Sequence, residues 1–305
     1  MSGYVKPWIN VVRVKFFLAG IPSIILGTCL AYYYYKVLNI HVFLLTFLGV
    51  SLAMAGCYTF NEYFDWRSGV DIIVDEKDIT PFNAGSRMLP LGLLNPKTVF
   101  KAGFIFYMAA IAIGLYLTLI CGFPVLVLML LGIFTGALYC TPPFMWAYRG
   151  IGEFLIGLSY GPLIVLGSFY VQTLSLLLRE VIISSLIPGI LITLVIWINE
   201  FPDYEADRKA GKLNLVVRIG RERAKYIYYL LVGLTYLIVM VGVTCRVMPS
   251  ASLIVLATIP LAIRNCMILS REYVNSRRLI PAMSGTLILF ISASLLLSLG
   301  YIVGC

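Results

Sequence analysis

Two polar clusters interrupt an otherwise apolar chain, and they carry nearly the same pattern. One is Asn61-Glu62-Tyr63-Phe64-Asp65, followed by Asp71 and Asp75; the other is Asn199-Glu200-Phe201-Pro202-Asp203, followed by Asp207. Carboxylates are costly beside hydrocarbon, so a pair of such clusters at the ends of apolar runs calls for a chemical reason. Positions four apart share one helix face, so Asn61 with Asp65, and Asn199 with Asp203, each aim oxygen atoms into a common space. Pro202 and the polar residues after it suggest that the second helix ends near 203, with Asp207 on the loop beyond. Such hard oxygen donors suit Mg²⁺, which keeps waters or substrate phosphates in its shell. Two facing carboxylate sets with Mg²⁺ between them would hold a diphosphate, offset its charge and make it a better leaving group. Capping and ion pairing would account for one such motif; two near-copies at equivalent helix ends favour shared chemistry.

Cations near the clusters fit the same ligand. Gly85-Ser86-Arg87 follows the first cluster, and Arg208, Lys209 and Lys212 follow the second. Guanidinium chelates phosphate oxygens and ammonium supplies a point charge. A third segment, Tyr139-Cys140-Thr141-Pro142-Pro143 leading to Tyr148-Arg149-Gly150-Ile151-Gly152-Glu153, joins two apolar runs on the same side. Glu153 there would offset a helix macrodipole. Gly157, Gly161 and Gly167 read as close helix-packing positions.

Composition states what must position these groups. The 305 residues are 61% hydrophobic and 12% charged, far below the quarter expected of a soluble domain. Repeated apolar runs of about 18 residues or more imply an all-α, polytopic membrane bundle. Nine spans are expected, at about 11–35, 41–64, 98–120, 124–141, 151–173, 181–201, 224–245, 249–269 and 281–303. With that count, 20 of the 23 basic residues fall on one side, all but Lys36, Arg179 and Arg246. The positive-inside rule makes that side cytoplasmic and places the N-terminus and the polar clusters there. His41, the one histidine, then lies near the opposite face and cannot serve as the base. The seven cysteines show no CxxC or Cys/His spacing, so neither disulfides nor zinc is expected. The first apolar run is too long for a cleavable signal. Net charge of +9, concentrated in membrane-proximal loops, points to anionic lipid, and no soluble domain is present to bind nucleic acid.

These motifs resemble those of the UbiA superfamily of intramembrane prenyltransferases. Residues 61–71, NEYFDWRSGVD, and 199–220, NEFPDYEADRKAGKLNLVVRIG, match its two aspartate-rich motifs, which follow helices 2 and 6. The second is close to N-x-x-x-D-x-x-x-D; in the first, Gly69 stands where the next aspartate would fall and Asp71 supplies the carboxylate. That variant is similar to menaquinone-branch members, as are Tyr148 to Glu153 and Gly167-Ser168-Phe169-Tyr170. The resemblance covers essentially the whole chain as one domain, 1–305, with catalytic loops at about 65–97 and 202–223. It implies that Asn61, Asp65, Asp71, Asn199, Asp203 and Asp207 bind Mg²⁺, as two ions bridging the diphosphate. It further implies that Arg87, Lys209 and Lys212 contact the diphosphate, and it places Tyr139 and Arg149 in a loop that the family uses, although with a longer spacing. The implied substrates are a polyprenyl diphosphate and an aromatic quinone precursor, 1,4-dihydroxy-2-naphthoate, in the cell membrane of a prokaryote. Other acceptors remain open: 4-hydroxybenzoate, a glycerol-ether phosphate or haem. So does a cation transporter, although one would carry acids on both sides of the midplane, and here 13 of 14 gather on one.

Overall fold

The computed structural model describes residues 2–13, 19–176 and 178–305. Lys15 and part of the expected first span lie outside the described residues. Every regular element among the described residues is helical. In chain order they are α1 Ser2–Val11, α2 Ile21–Tyr35, α3 Ile40–Ser68, α4 Pro96–Cys121, α5 Phe123–Ala137 and α6 Gly152–Leu158. They continue as α7 Ile164–Thr173, α8 Leu178–Lys209, α9 Leu215–Ile219, α10 Arg221–Thr244, α11 Ile259–Glu272 and α12 Ser276–Val303.

Seven helical stretches among the described residues are long and apolar enough to cross a membrane. They correspond to seven of the expected spans; the first and fourth correspond to the shorter α2 and α5, 15 residues each. Gly152–Thr173 is one stretch made of α6, a wide turn at Ser159–Leu163 containing Pro162, and α7. Ser250–Thr258 is a tight 3-10 lead-in to α11. The chain is thus a multi-pass integral membrane protein.

The core joins α2, α8, α10 and α12 through fully buried side chains such as Leu26, Leu30, Leu194, Ile198, Tyr228 and Phe290. Close helix approach is bought by glycine. A Cβ on Gly161 would stand 2.6 Å from the Ser185 carbonyl and 2.7 Å from Gly189 Cα, and one on Gly157 would stand 2.4 Å from Thr193 Oγ1. Gly167 departs from the packing role expected of it: a Cβ there would meet only Leu128 Cδ1, at 3.8 Å, because the residue faces a cavity.

The sequence expectation fails most clearly at the end of α8. The helix does not stop near 203 but runs through Pro202 to Lys209, so Asp207 is helical. Proline removes one backbone donor, yet the turn beyond it is held by burial of Ala206 and Asp207. The Lys212 N–H, donating to the Asp207 carbonyl at 2.8 Å, also satisfies the helix end. α3 likewise extends to Ser68, placing Asp65 inside a helix that Gly69 ends with a left-handed φ of 84°.

Candidate functional site

The polar ends of α3 and α8 face one another across the mouth of a cavity of about 350 Å³. Asn61, Asp65, Asp71, Asn199, Asp203, Asp207, Tyr139 and Lys212 all line it. Asp65, Asp71 and Asp207 are each 5% exposed or less. Lys212 sits among them, with Nζ 3.3 Å from Asp65 Oδ2 and 3.8 Å from Asp207 Oδ1, and 5.5 Å from the Tyr148 ring centroid. Burial alone would lower the Lys212 ammonium's pKa, but the Asp207 and Asp65 charges overcome that and hold it well above its ordinary value. Burial, with Asp65 and Glu62 behind it, pushes the Asp71 carboxyl well above the usual carboxylate range. The mouth therefore gathers more carboxyl groups than Lys212 alone can pair.

The loop between α3 and α4 is fastened to both motifs. Asn83 Nδ2 donates to Asp203 Oδ1 at 2.6 Å, while Asn83 Oδ1 accepts from the Thr80 N–H and hydroxyl at 2.7 Å each. The Ala84 N–H also donates to Asp203. Asp78, in the same loop, accepts from Ser276 Oγ at the start of α12. On the other side Glu62, fully buried, accepts from the Ser86 N–H at 2.9 Å and from the Ser86 hydroxyl. Gly85 has a φ of 64°, and a Cβ there would lie 2.4 Å from Asp71 Oδ2, so a side chain cannot replace it without moving that carboxylate. Tyr148 donates to Asp65 Oδ1 at 2.8 Å, and Asn214, which caps α9, donates to Asp207 Oδ2 at 2.7 Å.

Below the mouth the walls become apolar. One face of α3, at Thr46, Val50, Met54, Cys57, Asn61 and Asp65, lines the chamber in steps of three or four residues. The 19 residue steps from Thr46 to Asp65 span about 28 Å, close to the roughly 30 Å thickness of a bilayer's hydrocarbon core. The opposing walls come from α4, α5, α7 and α8, at residues such as Gly114, Met129, Gly167 and Val195.

Three predicted residues stand apart from the cavity lining. Arg87 donates from Nη1 to the Asp71 carbonyl at 2.6 Å and so braces the loop. Arg149 is exposed and donates to the Pro143 carbonyl, and Lys209 is exposed on the last turn of α8. Glu153 lies in the first turn of α6 as expected, but its Oε1 also accepts the Leu215 N–H at 2.6 Å, fixing the start of α9. Sequence reasoning missed Arg13, which lines the cavity and donates to Asn61 Oδ1 at 3.2 Å, and Asn83, whose loop has no periodicity to flag it. All seven cysteines are free in this structure.

The donor set fits Mg²⁺. It consists of hard oxygens, and both Asn199 Oδ1 and Glu200 Oε2 are buried without a hydrogen-bond donor. Among the described residues no three His, Cys, Asp or Glu side chains converge closely enough to hold a metal by themselves. The two carboxylate sets instead leave space between them, which suits an ion completing its shell with phosphate oxygens.

The chain is 27% identical over 262 residues to the 2-carboxy-1,4-naphthoquinone phytyltransferase of Synechocystis, covering 85% of this chain and 81% of that one. It is 29% identical over 206 residues to the 1,4-dihydroxy-2-naphthoate octaprenyltransferase of Bacillus subtilis, covering 68% and 63% of the respective chains. Among solved structures, a digeranylgeranylglyceryl phosphate synthase superposes with a TM-score of 0.65 at 22% identity over 99% of both chains. A UbiA homologue from Archaeoglobus fulgidus bound to GPP and Mg²⁺ superposes with a TM-score of 0.61 at 16% identity, over 96% of this chain and 99% of that one. These likenesses show the fold. The UbiA prenyltransferase family model matches residues 20–292, and with nine-tenths of its length so matched the chain belongs to that family.

Proposed function

We propose that this chain transfers a polyprenyl group from an allylic polyprenyl diphosphate to an aromatic acceptor, 1,4-dihydroxy-2-naphthoate, with Mg²⁺ as cofactor. The observation that carries this reading is one continuous cavity that runs about 28 Å from Asp65 at its acidic mouth, where Lys212 sits, to Thr46 in its apolar chamber. The mouth matches a diphosphate with cations, and the chamber matches its hydrocarbon tail. The acceptor is chosen from the naphthoate and naphthoquinone prenyltransferases among the relatives, and the metal from the fit of the donors and from the Mg²⁺-bound neighbour.

In this reading Asn61, Asp65, Asp71, Asn199, Asp203 and Asp207 would hold two Mg²⁺ ions at the diphosphate site. Bound there, Mg²⁺ supplies charge neutralisation that makes diphosphate a better leaving group. Lys212 and Arg13 face the same anion, while Arg87, through the Asp71 carbonyl, holds its loop in place. The bond between the allylic carbon and the diphosphate oxygen breaks, and its electrons leave with the diphosphate. The chamber walls keep water from the allylic cation. A ring carbon of the acceptor then donates the electron pair of the new C–C bond, and the ring loses CO₂ or a proton to regain aromaticity. Tyr139, which lines the same cavity, contacts the acceptor ring in this reading. The protein acts as one domain over residues 1–305, with nine spans, a cytoplasmic N-terminus and the mouth on the cytoplasmic face of a prokaryotic cell membrane in contact with anionic lipid.

The test is diphosphate release by purified protein given geranylgeranyl diphosphate and Mg²⁺, with and without 1,4-dihydroxy-2-naphthoate, against Asp203→Asn. Acceptor-dependent release with a prenylated naphthoquinol supports the reading. Prenylation of a different acceptor only rejects the naphthoate choice, and no release with folded protein rejects the reaction.

A further inference from the structure

A second groove, separate from the cavity already described, lies on the flank of the bundle between α10 and α11. It measures about 370 Å³ and is lined by Tyr229, Val232 and Tyr236 from α10 and by Ala262, Cys266 and Ser270, among others, from α11. Two further lining residues, Ile263 and Met267, are 53% and 50% exposed, so the groove opens sideways, toward the hydrocarbon around a multi-pass protein.

Its length matches one leaflet. Steps of three or four residues place Lys225, Tyr229, Val232 and Tyr236 on one face of α10. The 11 residue steps from Lys225 to Tyr236 cover about 16 Å, as do the 11 from Ile259 to Ser270 on α11. That is about half of the roughly 30 Å hydrocarbon core. The Tyr236 and Thr258 hydroxyls, 2.9 Å apart, join the two elements at the inner end. The outer end is level with the acidic mouth, because Trp197, two residues before Asn199 on α8, donates from Nε1 to the Ala224 carbonyl at 3.0 Å.

Cations gather at that outer end. Lys225 Nζ lies 4.3 Å from the Tyr273 ring centroid and 5.3 Å from that of Tyr226, and its acidic neighbour Glu222 is exposed at 3.9 Å. Arg264 and Arg271 are exposed, seven positions apart on one face of α11 beside Met267, and neither forms an ion pair among the described residues. Arg264 stands eight residue steps, about 12 Å, inside the end of the apolar stretch Ser250–Glu272. A guanidinium on a lipid-facing helix is expensive there unless its long stem carries it to a polar partner. The anion that a leaflet offers at that level is a lipid phosphate.

We propose that this groove is a binding site for one anionic phospholipid. An acyl chain lies along the apolar floor between Tyr229 and Tyr236, and the phosphate meets Arg264 and Arg271 on the rim with Lys225 at the head. The lipid then fills the gap between α10 and α11 and pairs two arginines that otherwise face hydrocarbon. The inference does not depend on the prenyl-transfer reading, which uses no residue of this groove.

The experiment places the full-length protein in nanodiscs of phosphatidylcholine, alone or mixed with phosphatidylglycerol, and counts the lipids retained on release by native mass spectrometry. The parent should retain one phosphatidylglycerol in preference to phosphatidylcholine. Arg264→Gln and Arg271→Gln should each weaken that preference about fivefold, the attraction of one cation for an anionic leaflet. Cys266→Phe, which fills the groove, should abolish retention of the bound lipid, and the exposed arginine variants keep the test open if that variant fails to fold. A parent that retains the two lipids equally overturns the proposal, as does an unchanged preference in the double arginine variant. Full retention by folded Cys266→Phe places the chain elsewhere and overturns it too. Inorganic phosphate added to the phosphatidylcholine discs should leave the melting temperature unchanged; a rise matching that given by phosphatidylglycerol would make this a site for a free anion and refute the lipid.

Discussion

Lys212 is the buried cation of the acidic mouth, and its removal tests how that charge is balanced. Its side chain is 17% exposed and pairs with Asp65 and Asp207, whose side chains are 6% and 3% exposed. Lys212→Met keeps the apolar stem and deletes the charge. Removing one partner of a buried ion pair costs roughly 3–5 kcal/mol; protonation of an abandoned carboxylate limits the loss, so about 3 kcal/mol is expected. At about 2–4 °C per kcal/mol for a domain somewhat smaller than this one, the metal-free variant should melt on the order of 5–10 °C below the parent. In the proposed reading Mg²⁺ binds the same carboxylates, and at 100 times its Kd a ligand restores about 2.7 kcal/mol. The Mg²⁺-induced rise in Tm should therefore be larger for the variant than for the parent. Thermal unfolding in detergent, with EDTA and across a Mg²⁺ titration, reads both quantities. A variant that melts with the parent in EDTA would refute the charge balance drawn here, and an equal Mg²⁺ shift in the two proteins would separate Lys212 from the metal-binding carboxylates.

Asp65→Asn and Asp203→Asn should each abolish turnover in a protein that still folds; unchanged activity in both would remove these residues from the site. Asn83→Ala removes a hydrogen bond to a carboxylate, worth roughly 1.5–3 kcal/mol, and should raise the Mg²⁺ concentration for half-maximal activity by about tenfold or more, measured at saturating prenyl diphosphate. Glu62→Gln should loosen residues 83–90, seen as faster amide exchange there, and protection equal to the parent's would show that Ser86 does not need the charge. Gly161→Leu drives a side chain into the Ser185 carbonyl and Gly189, a backbone clash that α8 cannot relieve by a rotamer change, so the folded yield should collapse; a normally folded variant would mean that α6 and α8 can separate.

Much of this was legible because two constraints act on the sequence locally. Apolar run length and basic loops marked the helices, and the two N-E-x-x-D motifs marked the carboxylates that meet at one mouth. Asp207 was misplaced because proline's local preference was weighed without the burial of Ala206 and Asp207 that carries α8 past it. Asn83 and Arg13 were invisible because their partners, Asp203 and Asn61, lie 120 and 48 positions away, and no spacing rule spans an irregular loop. Arg87 was expected at the diphosphate, and no spacing rule foretold its hydrogen bond to the Asp71 backbone. Gly167 could not be told from a packing glycine, since an absent side chain reads the same whether it admits a neighbouring helix or leaves a void.

The two motifs are spelled almost alike, yet their shared glutamates face opposite ways. Glu62 turns out of the cavity to clip Ser86, whereas Glu200 lines the cavity wall. The motifs are thus homonyms: the same letters, in one case a fastener and in the other part of the lumen. Exchanging the segments 61–65 and 199–203 would leave Asn, Glu and Asp at every motif position and alter only Tyr63, Phe64, Phe201 and Pro202, so the fastener and the lumen residue are told apart by the helix that carries each glutamate and not by the motif's letters.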